Sequence, residues 1–150
     1  MSIIIQQVKE DRHEIAALEF TIFGESSFNM DAKYCFAAVD QSTNKQVGYI
    51  LADWQDKDAF PYGLFNEDLV FNIVSFGVLE DYKRKGIGEQ LVKELISKTE
   101  DVKSIFLQVR ISNEPAIKLY EKLGFKQHKT IDDYYNNPEE DGYLYWLDKN

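Results

Sequence analysis

The second half of the chain alternates strands with helices, and this pattern limits the possible folds more than any other feature. Residues 69–79 are apolar and rich in β-branched side chains, which is typical of a buried central strand. Near Gly88 the apolar spacing changes to that of a helix, whose buried face contains Ile87, Leu91, Val92, Leu95 and Ile96. Further elements are a strand over 105–109, a helix after Asn113, and two strands around 125–131 and 142–147. This series predicts a mixed α/β fold.

The first half of the chain is predicted to contain one helix, three strands and two polar connecting segments. Ile15, Leu18 and Ile22 recur at helical spacing, and Gly24 ends the predicted helix. The predicted elements are a strand over 3–5, a helix over 11–22, strands over 34–39 and 47–54 joined by a polar turn at 40–46, and a polar loop over 55–68.

The ends of the last helix carry local sequence signals. Asn113 is a good N-cap, since its side-chain oxygen can accept a backbone N–H of the first helical turn. Pro115 falls in that first turn, where its missing N–H removes no hydrogen bond. Gly124 fits the position just after the helix, where a left-handed backbone is common. Tyr120 lies seven residues beyond Asn113, so both residues face the same side of this helix.

Length and charge narrow the class of protein. A chain of 150 residues suits a single domain spanning 1–150. The net charge of −9 argues against a nucleic-acid-binding protein, which needs a basic surface. The single Cys35 excludes an internal disulfide, and the isolated His13 and His128 lack the spacing of metal ligands, so we expect no metal.

The apolar segments are too short for a membrane protein. No run approaches the roughly 18 residues that a membrane-spanning helix needs. The N-terminus has no basic stretch followed by an apolar one and does not resemble a signal peptide. We therefore expect a cytoplasmic protein with no membrane partner, as a monomer or a dimer.

A basic segment stands directly before two glycines in this acidic chain. Lys83, Arg84 and Lys85 precede Gly86-Ile87-Gly88, where a predicted strand gives way to a predicted helix. The free N–H groups at a helix N-terminus bind anions, and added cations favour a phosphate or pyrophosphate. The segment is neither a Walker loop, since Glu89 and Gln90 follow, nor a dinucleotide fingerprint, since Leu91 occupies the third glycine position. A plain basic turn that begins a helix is the alternative.

Two segments together resemble a known family. VLEDYKRKGIGEQLV and FLQVRISNEPAIKLYEKLGF resemble the GNAT superfamily of acetyl-CoA-dependent N-acetyltransferases, and the second resembles N-terminal (Nα) and ribosomal-protein alanine acetyltransferases. The resemblance runs from about residue 69 to 146. It implies the GNAT fold, an α/β (α+β) architecture with a mixed sheet of about six to seven strands and about four helices. The chain departs from the pattern at Lys83, at Glu80 and at Gln108, which stands where the ribosomal enzyme has its catalytic glutamate.

The resemblance implies acetyl-CoA as co-substrate and assigns residues to it. The backbone of Phe76, Gly77 and Val78 would pair with the pantetheine arm, and Asn113 would contact the cofactor. Tyr120 would act as the general acid that protonates the leaving thiolate. The pyrophosphate would lie against Lys83, Arg84, Lys85, Gly86, Ile87 and Gly88.

The acceptor is expected to be an α-amine. Gln108 cannot take a proton, although its amide could position a water. An α-amine with a pKa of about 8 is partly neutral at pH 7, whereas a lysine amine with a pKa of about 10.4 is almost wholly charged. The resemblance places Tyr134 and Tyr135 in the loop that clamps a substrate N-terminus, beside the acidic residues Asp132, Asp133, Glu139, Glu140 and Asp141. Phe23 and Glu25 are further candidates for contacting the amine.

Two alternatives remain open at this stage. One is an acetyltransferase for a small amine, such as a polyamine, an amino sugar or a drug. The other is a catalytically silent acyl-CoA-binding module, which the missing carboxylate at Gln108 favours.

Overall fold

The computed structural model describes residues 1–26 and 29–149. Within them the strands are β1 Ile3–Gln7, β2 Tyr34–Asp40, β3 Lys45–Asp56, β4 Leu69–Val78, β5 Ser104–Arg110, β6 Lys126–Tyr135 and β7 Glu140–Asp148. The α-helices are α1 His13–Phe23, α2 Ile87–Lys98 and α3 Glu114–Lys122, and two single-turn 3₁₀ helices cover Lys57–Ala59 and Glu80–Tyr82. The strands are ordered β1-β2-β3-β4-β5-β7-β6. The predicted mixed sheet is confirmed with seven strands, and the described part of the chain has three α-helices where about four were expected.

The chain divides into two compact units. The first contains Met1–Asp53 and Val74–Glu100, and the second contains Trp54–Ile73 and the chain from Asp101 onward. The interpretation of residues 1–150 as one domain stays a prediction, and its last residue lies outside the described residues.

Helices cover both faces of the sheet in the first unit. Successive strand residues point to opposite faces. Tyr49 and Leu51 of β3 pack with Ile15 and Leu18 of α1 in one apolar cluster. On the other face, a Cβ placed on Gly48 would lie 3.3 Å from Leu91 Cδ1 of α2. The buried residues of α2 are Ile87, Leu91, Val92 and Leu95, four of the five that the sequence predicts, while Ile96 is half-buried.

The second unit is built on β5, β7 and β6. The antiparallel register places Phe106 opposite Trp146 and Leu107 opposite Tyr145. Phe106 belongs to an apolar cluster with Phe60 and Phe65 of the segment after β3, which sequence analysis predicts as a polar loop. On the opposite face, the Tyr145 hydroxyl donates to Glu121 of α3 at 3.0 Å. The loop therefore supplies part of the core of this unit, a packing role that its polar composition does not reveal.

Candidate active site

The cationic glycine turn of the first unit has the geometry of an anion site. Arg84 and Gly86 have positive φ values of 61° and 81°, and Gly86 is the N-cap of α2. Since glycine has no side chain, Gly86 cannot cap the first N–H groups of α2 itself. A Cβ added to Gly86 would meet no atom of the described residues within 4 Å. The N-terminus of α2 is therefore open to an approaching anion.

Hydrogen bonds from Tyr82 hold this turn in place. Its hydroxyl donates to Asp40 Oδ2 at 2.8 Å, and Asp40 Oδ1 accepts from the Ser42 backbone N–H at 3.0 Å and from the Ser42 hydroxyl at 2.6 Å. These bonds lower the pKa of Asp40, with Ser42 as the largest cause and Tyr82 next, and the same carboxylate raises the pKa of Tyr82. Lys83 forms an exposed ion pair with Glu80 at 3.1 Å.

The end of β4 packs closely against α1. A Cβ on Gly77 would lie 3.1 Å from both Ile22 Cδ1 and Phe23 Cε2, so a larger residue here would require these two side chains to shift by a few tenths of an ångström. Phe23 is 54% exposed although it contacts the strand. Helix α1 ends at Gly24, whose φ is 78°, and Glu25 follows in an exposed position. Phe23 thus lies beside the Phe76–Val78 backbone, while Glu25 faces solvent.

A buried polar chain links α1 to β3 and β4. The Ser75 hydroxyl donates to Glu19 Oε2 at 2.6 Å and bonds the Tyr49 hydroxyl at 2.7 Å. Glu19 is only 3% exposed. Burial raises the pKa of Tyr49 above its ordinary value. Sequence analysis misses this group, because a glutamate at that helical position is expected to be solvated. The bonds fix Ser75, the residue directly before Phe76.

In the second unit, Gln108 belongs to a cluster of amides. Its Nε2 donates to Asn72 Oδ1 at 2.8 Å, and Asn72 Nδ2 donates back to Gln108 Oε1 at 3.1 Å. Asn72 Nδ2 also donates to Gln55 Oε1 at 2.9 Å. Each end of the Gln108 amide thus has a protein partner and keeps capacity for one more hydrogen bond. A water bonded to Gln108 would therefore be held by an amide in one fixed orientation.

The C-terminal end of α3 positions Tyr120. The Phe125 N–H donates to the Tyr120 carbonyl at 2.9 Å and the Gly124 N–H to the Glu121 carbonyl at 3.1 Å, which is the Schellman pattern with Gly124 at φ 97°. The Tyr120 and Phe125 rings pack at 5.8 Å. Tyr120 is 6% exposed, and burial is the main cause that raises its pKa, followed by Tyr135.

The N-terminal end of α3 confirms Asn113 as its cap. Asn113 Oδ1 accepts the Ala116 N–H at 3.3 Å, and Pro115 lies in the first turn as predicted. The side chain of Asn113 is exposed. Because Oδ1 serves the cap, a ligand contact by this residue would use its amide N–H groups.

The two tyrosines near the end of β6 form an edge-to-face pair. The rings of Tyr134 and Tyr135 are 4.9 Å apart at an interplanar angle of 85°. The guanidinium of Arg110 lies 4.6 Å from the centre of the Tyr135 ring. Both tyrosines are half-buried, and burial raises the pKa of each. Their side chains are therefore held in place rather than projecting freely from the loop.

Two of the acidic residues expected near a substrate have protein partners. Glu140 accepts from Arg110 Nη1 at 3.1 Å and from the Ser112 N–H at 2.7 Å. Asp141 Oδ1 accepts the Asp133 N–H at 2.8 Å. The remaining acidic residues, Asp132, Asp133 and Glu139, are exposed. The charge of Glu140 thus serves Arg110, which sequence analysis leaves without a role.

The predicted residues fall in both units. The first unit contains Phe23, Glu25, Phe76, Gly77, Val78 and Lys83 to Gly88, and the second contains Gln108, Asn113, Tyr120, Tyr134 and Tyr135. Within residues 1–26 and 29–149, no group of three or more His, Cys, Asp or Glu side chains is arranged to hold a metal ion. In the same part of the chain, no helix is long and apolar enough to cross a membrane.

Comparison with known proteins identifies close sequence relatives. N-alpha-acetyltransferase of Sulfurisphaera tokodaii is 45% identical over 76 residues, which cover 49% of this chain and 45% of that protein. [Ribosomal protein bS18]-alanine N-acetyltransferase of Escherichia coli K12 is 41% identical over 81 residues, covering 53% and 51%. The chain thus spans about half the length of these curated relatives.

The fold is shared with a solved acetyltransferase structure. Arabidopsis thaliana NAA60, crystallised with a bisubstrate analogue, superposes with a TM-score of 0.79 at 21% identity, covering 98% of each chain. The sequence model of the acetyltransferase (GNAT) family matches residues 5–125. This match covers most of the chain, including the glycine turn, Gln108 and Tyr120. The chain therefore belongs to the acetyltransferase (GNAT) family.

Proposed function

We propose that this protein is an acetyl-CoA-dependent N-acetyltransferase that modifies the N-terminal α-amine of a protein or peptide. The observation that carries the co-substrate assignment is the open N-terminus of α2 at Gly86. This residue has a left-handed φ of 81°, and its missing side chain lets a phosphate approach the backbone closely. Lys83, Arg84 and Lys85 add positive charge there. The residues present therefore fit the pyrophosphate of acetyl-CoA.

Acetyl-CoA supplies an activated acyl group as a thioester. In the transfer, the neutral amine forms a C–N bond to the acyl carbon, the C–S bond breaks, and the amine gives up one proton to water. Tyr120 donates its hydroxyl proton to the leaving thiolate and regains a proton from solvent. Because its pKa is raised, Tyr120 stays protonated throughout the neutral range. The phenol is thus protonated at neutral pH, while the same burial makes it a weaker acid than an exposed tyrosine.

The acceptor assignment depends on Gln108. An amide cannot accept the amine proton, and both ends of this one already bond Asn72. An acceptor that is substantially neutral at physiological pH needs no strong base, and an α-amine meets that requirement better than lysine. The names of the relatives, which are Nα and ribosomal-protein alanine acetyltransferases, support the same choice. Tyr134 and Tyr135 would hold the backbone of the substrate N-terminus, with Phe23 and Glu25 as further contacts.

The same amide cluster favours one rival, a module that binds acyl-CoA without turnover. Thiol release from acetyl-CoA, measured over a panel of peptides and small amines, separates the possibilities. We expect release with unblocked peptides. Release with small amines alone would identify a small-amine acetyltransferase. Tight acetyl-CoA binding with no release on any amine would identify the silent module.

A further inference from the structure

Arg110, the last residue of β5, makes four contacts with one short segment of chain. Its Nη1 donates to the Pro138 carbonyl at 2.9 Å and to Glu140 Oε1 at 3.1 Å. Its Nη2 donates to the Asn136 carbonyl at 3.0 Å. The guanidinium carbon also lies over the Tyr135 ring, 4.6 Å from its centre. All four partners belong to residues 135–140, where β6 turns into β7.

A second set of bonds closes the same turn from the β5 side. The Ser112 N–H donates to Glu140 Oε2 at 2.7 Å, and the Ile111 N–H donates to the Asp141 carbonyl at 3.3 Å. Glu140 therefore joins Arg110 to the segment that follows β5. The side chains of Arg110 and Glu140 are 29% and 16% exposed, so water screens this ion pair less than a fully exposed one.

The Tyr135 ring is enclosed by three neighbours. Arg110 lies against it, the edge-to-face contact with Tyr134 is 4.9 Å, and Gly142 lies close by in β7. A Cβ on Gly142 would be 3.0 Å from Tyr135 Cε2 and 3.3 Å from Tyr134 Cδ2. The glycine thus provides the space that the two rings occupy, and Arg110 keeps them there.

We propose that Arg110 is a positioning residue for the acceptor: it holds the residue 135–140 turn so that Tyr134 and Tyr135 are ordered before a peptide binds. The proposal rests on the proposed function, in which this tyrosine pair holds the substrate N-terminus. A side chain that is ordered in advance loses less entropy on binding. Loss of Arg110 should therefore weaken the peptide complex and leave acetyl-CoA binding unchanged.

Lysine cannot replace arginine in this role. Arg110 uses two nitrogens to reach three oxygen atoms while its guanidinium carbon lies over the Tyr135 ring. A lysine ammonium is a single point charge that cannot also stack on the ring. Arg110→Lys keeps the charge beside Glu140, so this variant separates the geometry of the fork from its charge.

The test compares Arg110→Gln and Arg110→Lys with Lys126→Gln, a matched loss of charge at an exposed position of β6. The measurements are the KM and kcat for a peptide with a free N-terminus, the acetyl-CoA Kd by calorimetry, and amide hydrogen exchange across residues 133–141. For both Arg110 variants we expect a peptide KM about tenfold higher, an unchanged acetyl-CoA Kd, and faster exchange in the turn. Lys126→Gln should match the wild type in all three.

Gly142→Ala provides a second variant that leaves Arg110 intact. Its methyl group would displace the two rings, so the peptide KM should rise while the carbonyl contacts of Arg110 continue to protect the turn from exchange. A raised KM in this variant shows that the placement of the two rings matters for the acceptor. If Arg110→Gln does not fold, Arg110→Lys decides the role of Arg110, because it keeps the charge beside Glu140.

Two results would overturn the proposal: an unchanged exchange rate in the turn, or faster exchange with an unchanged KM for the acceptor. Neither would affect the proposed function. If the wild type acetylates small amines and no peptide, the peptide kinetics of the wild type already show that the proposed function is wrong. The KM for that amine in the Arg110 variants then decides whether Arg110 positions the acceptor site.

Discussion

Gln108 and Asn72 exchange two side-chain hydrogen bonds, Nε2 to Oδ1 at 2.8 Å and Nδ2 to Oε1 at 3.1 Å. Asn72 is 2% exposed, so this amide pair is held by a buried partner. An amide pair of this kind fixes both side chains and offers no group that can take a proton at neutral pH. The proposed acceptor chemistry depends on this property.

Gln108→Glu tests whether position 108 is where a base would act. One oxygen of the new carboxyl would accept from Asn72 Nδ2 and the other would face Asn72 Oδ1, so the partner that now holds the amide would hold the carboxyl. We expect a rate at about pH 6.5 that is at least tenfold higher, because a positioned base typically contributes about 10² to 10⁴.

Gln55→Glu is the matched control, since it places a carboxyl on the other partner of Asn72. The rate–pH profile of Gln108→Glu should shift to lower pH and that of Gln55→Glu should not. Identical profiles for the two variants and the wild type would show that position 108 does not face the reacting amine.

Gly86→Asp should weaken acetyl-CoA binding by about tenfold or more, or about 1.4 kcal/mol. The new carboxylate would repel the pyrophosphate at the N-terminus of α2. Gly63→Asp is the control, because Gly63 has a φ of 80° and an equally open environment among the described residues. Calorimetry measures both affinities. Equal affinity for the two folded variants would place the phosphate site elsewhere.

Tyr120→Phe should lower kcat by about 10² or more and change the acetyl-CoA Kd little, because only the proton donor is lost. Tyr145→Phe removes another buried hydroxyl near α3 and should leave kcat near that of the wild type. Since burial raises the pKa of Tyr120, the wild-type rate should show no alkaline decline below about pH 10. Normal turnover in Tyr120→Phe would show that thiolate departure needs no phenol.

The Tyr82–Asp40 bond predicts a stability difference that depends on pH. The pKa of Asp40 is lowered from 3.8 by Ser42 first and Tyr82 second, so its stabilisation is present above pH 3.8 and is lost as pH falls through the lower folded value. Tyr82→Phe removes one of these bonds. As pH falls from 5 to values below the folded pKa of Asp40, the free energy of unfolding of this variant should decrease less than that of the wild type. The free energy of unfolding is measured by urea denaturation at each pH. The same change with pH in the variant and the wild type would contradict the assignment.

Local sequence signals predict the elements that carry the site. Asn113, Pro115 and Gly124 each mark an end of α3 through backbone chemistry that depends on near neighbours, and the structure confirms all three. The start of α2 is predicted near Gly88, and the helix begins one residue earlier, at Ile87, with Gly86 as its N-cap. Strand ends are predicted less well. β6 continues to Tyr135, four residues beyond the predicted end. After Ile131 its register with β7 shifts, and pairing resumes at Tyr135 opposite Glu140, which no local pattern reveals.

Contacts between distant residues lie beyond sequence reasoning. Gln108 and Asn72 are 36 residues apart, and no spacing rule joins a residue of β4 to one of β5. The roles of Arg110 and Glu140 depend on β7 lying between β5 and β6. The available sequence signal is Arg110 itself, which directly follows the predicted strand 105–109 in an acidic chain. An arginine in this position indicates an ion pair but does not identify its partner.

The central claim concerns the acceptor, and one peptide prepared in two forms tests it most directly. One form has a free N-terminus and blocked lysines, and the other has a blocked N-terminus and a free lysine. At pH 7 the neutral fraction of the α-amine exceeds that of lysine by on the order of a hundredfold. We predict faster acetylation of the first form, with a rate that rises with pH around the α-amine pKa of about 8. Faster acetylation of the lysine form would contradict the account.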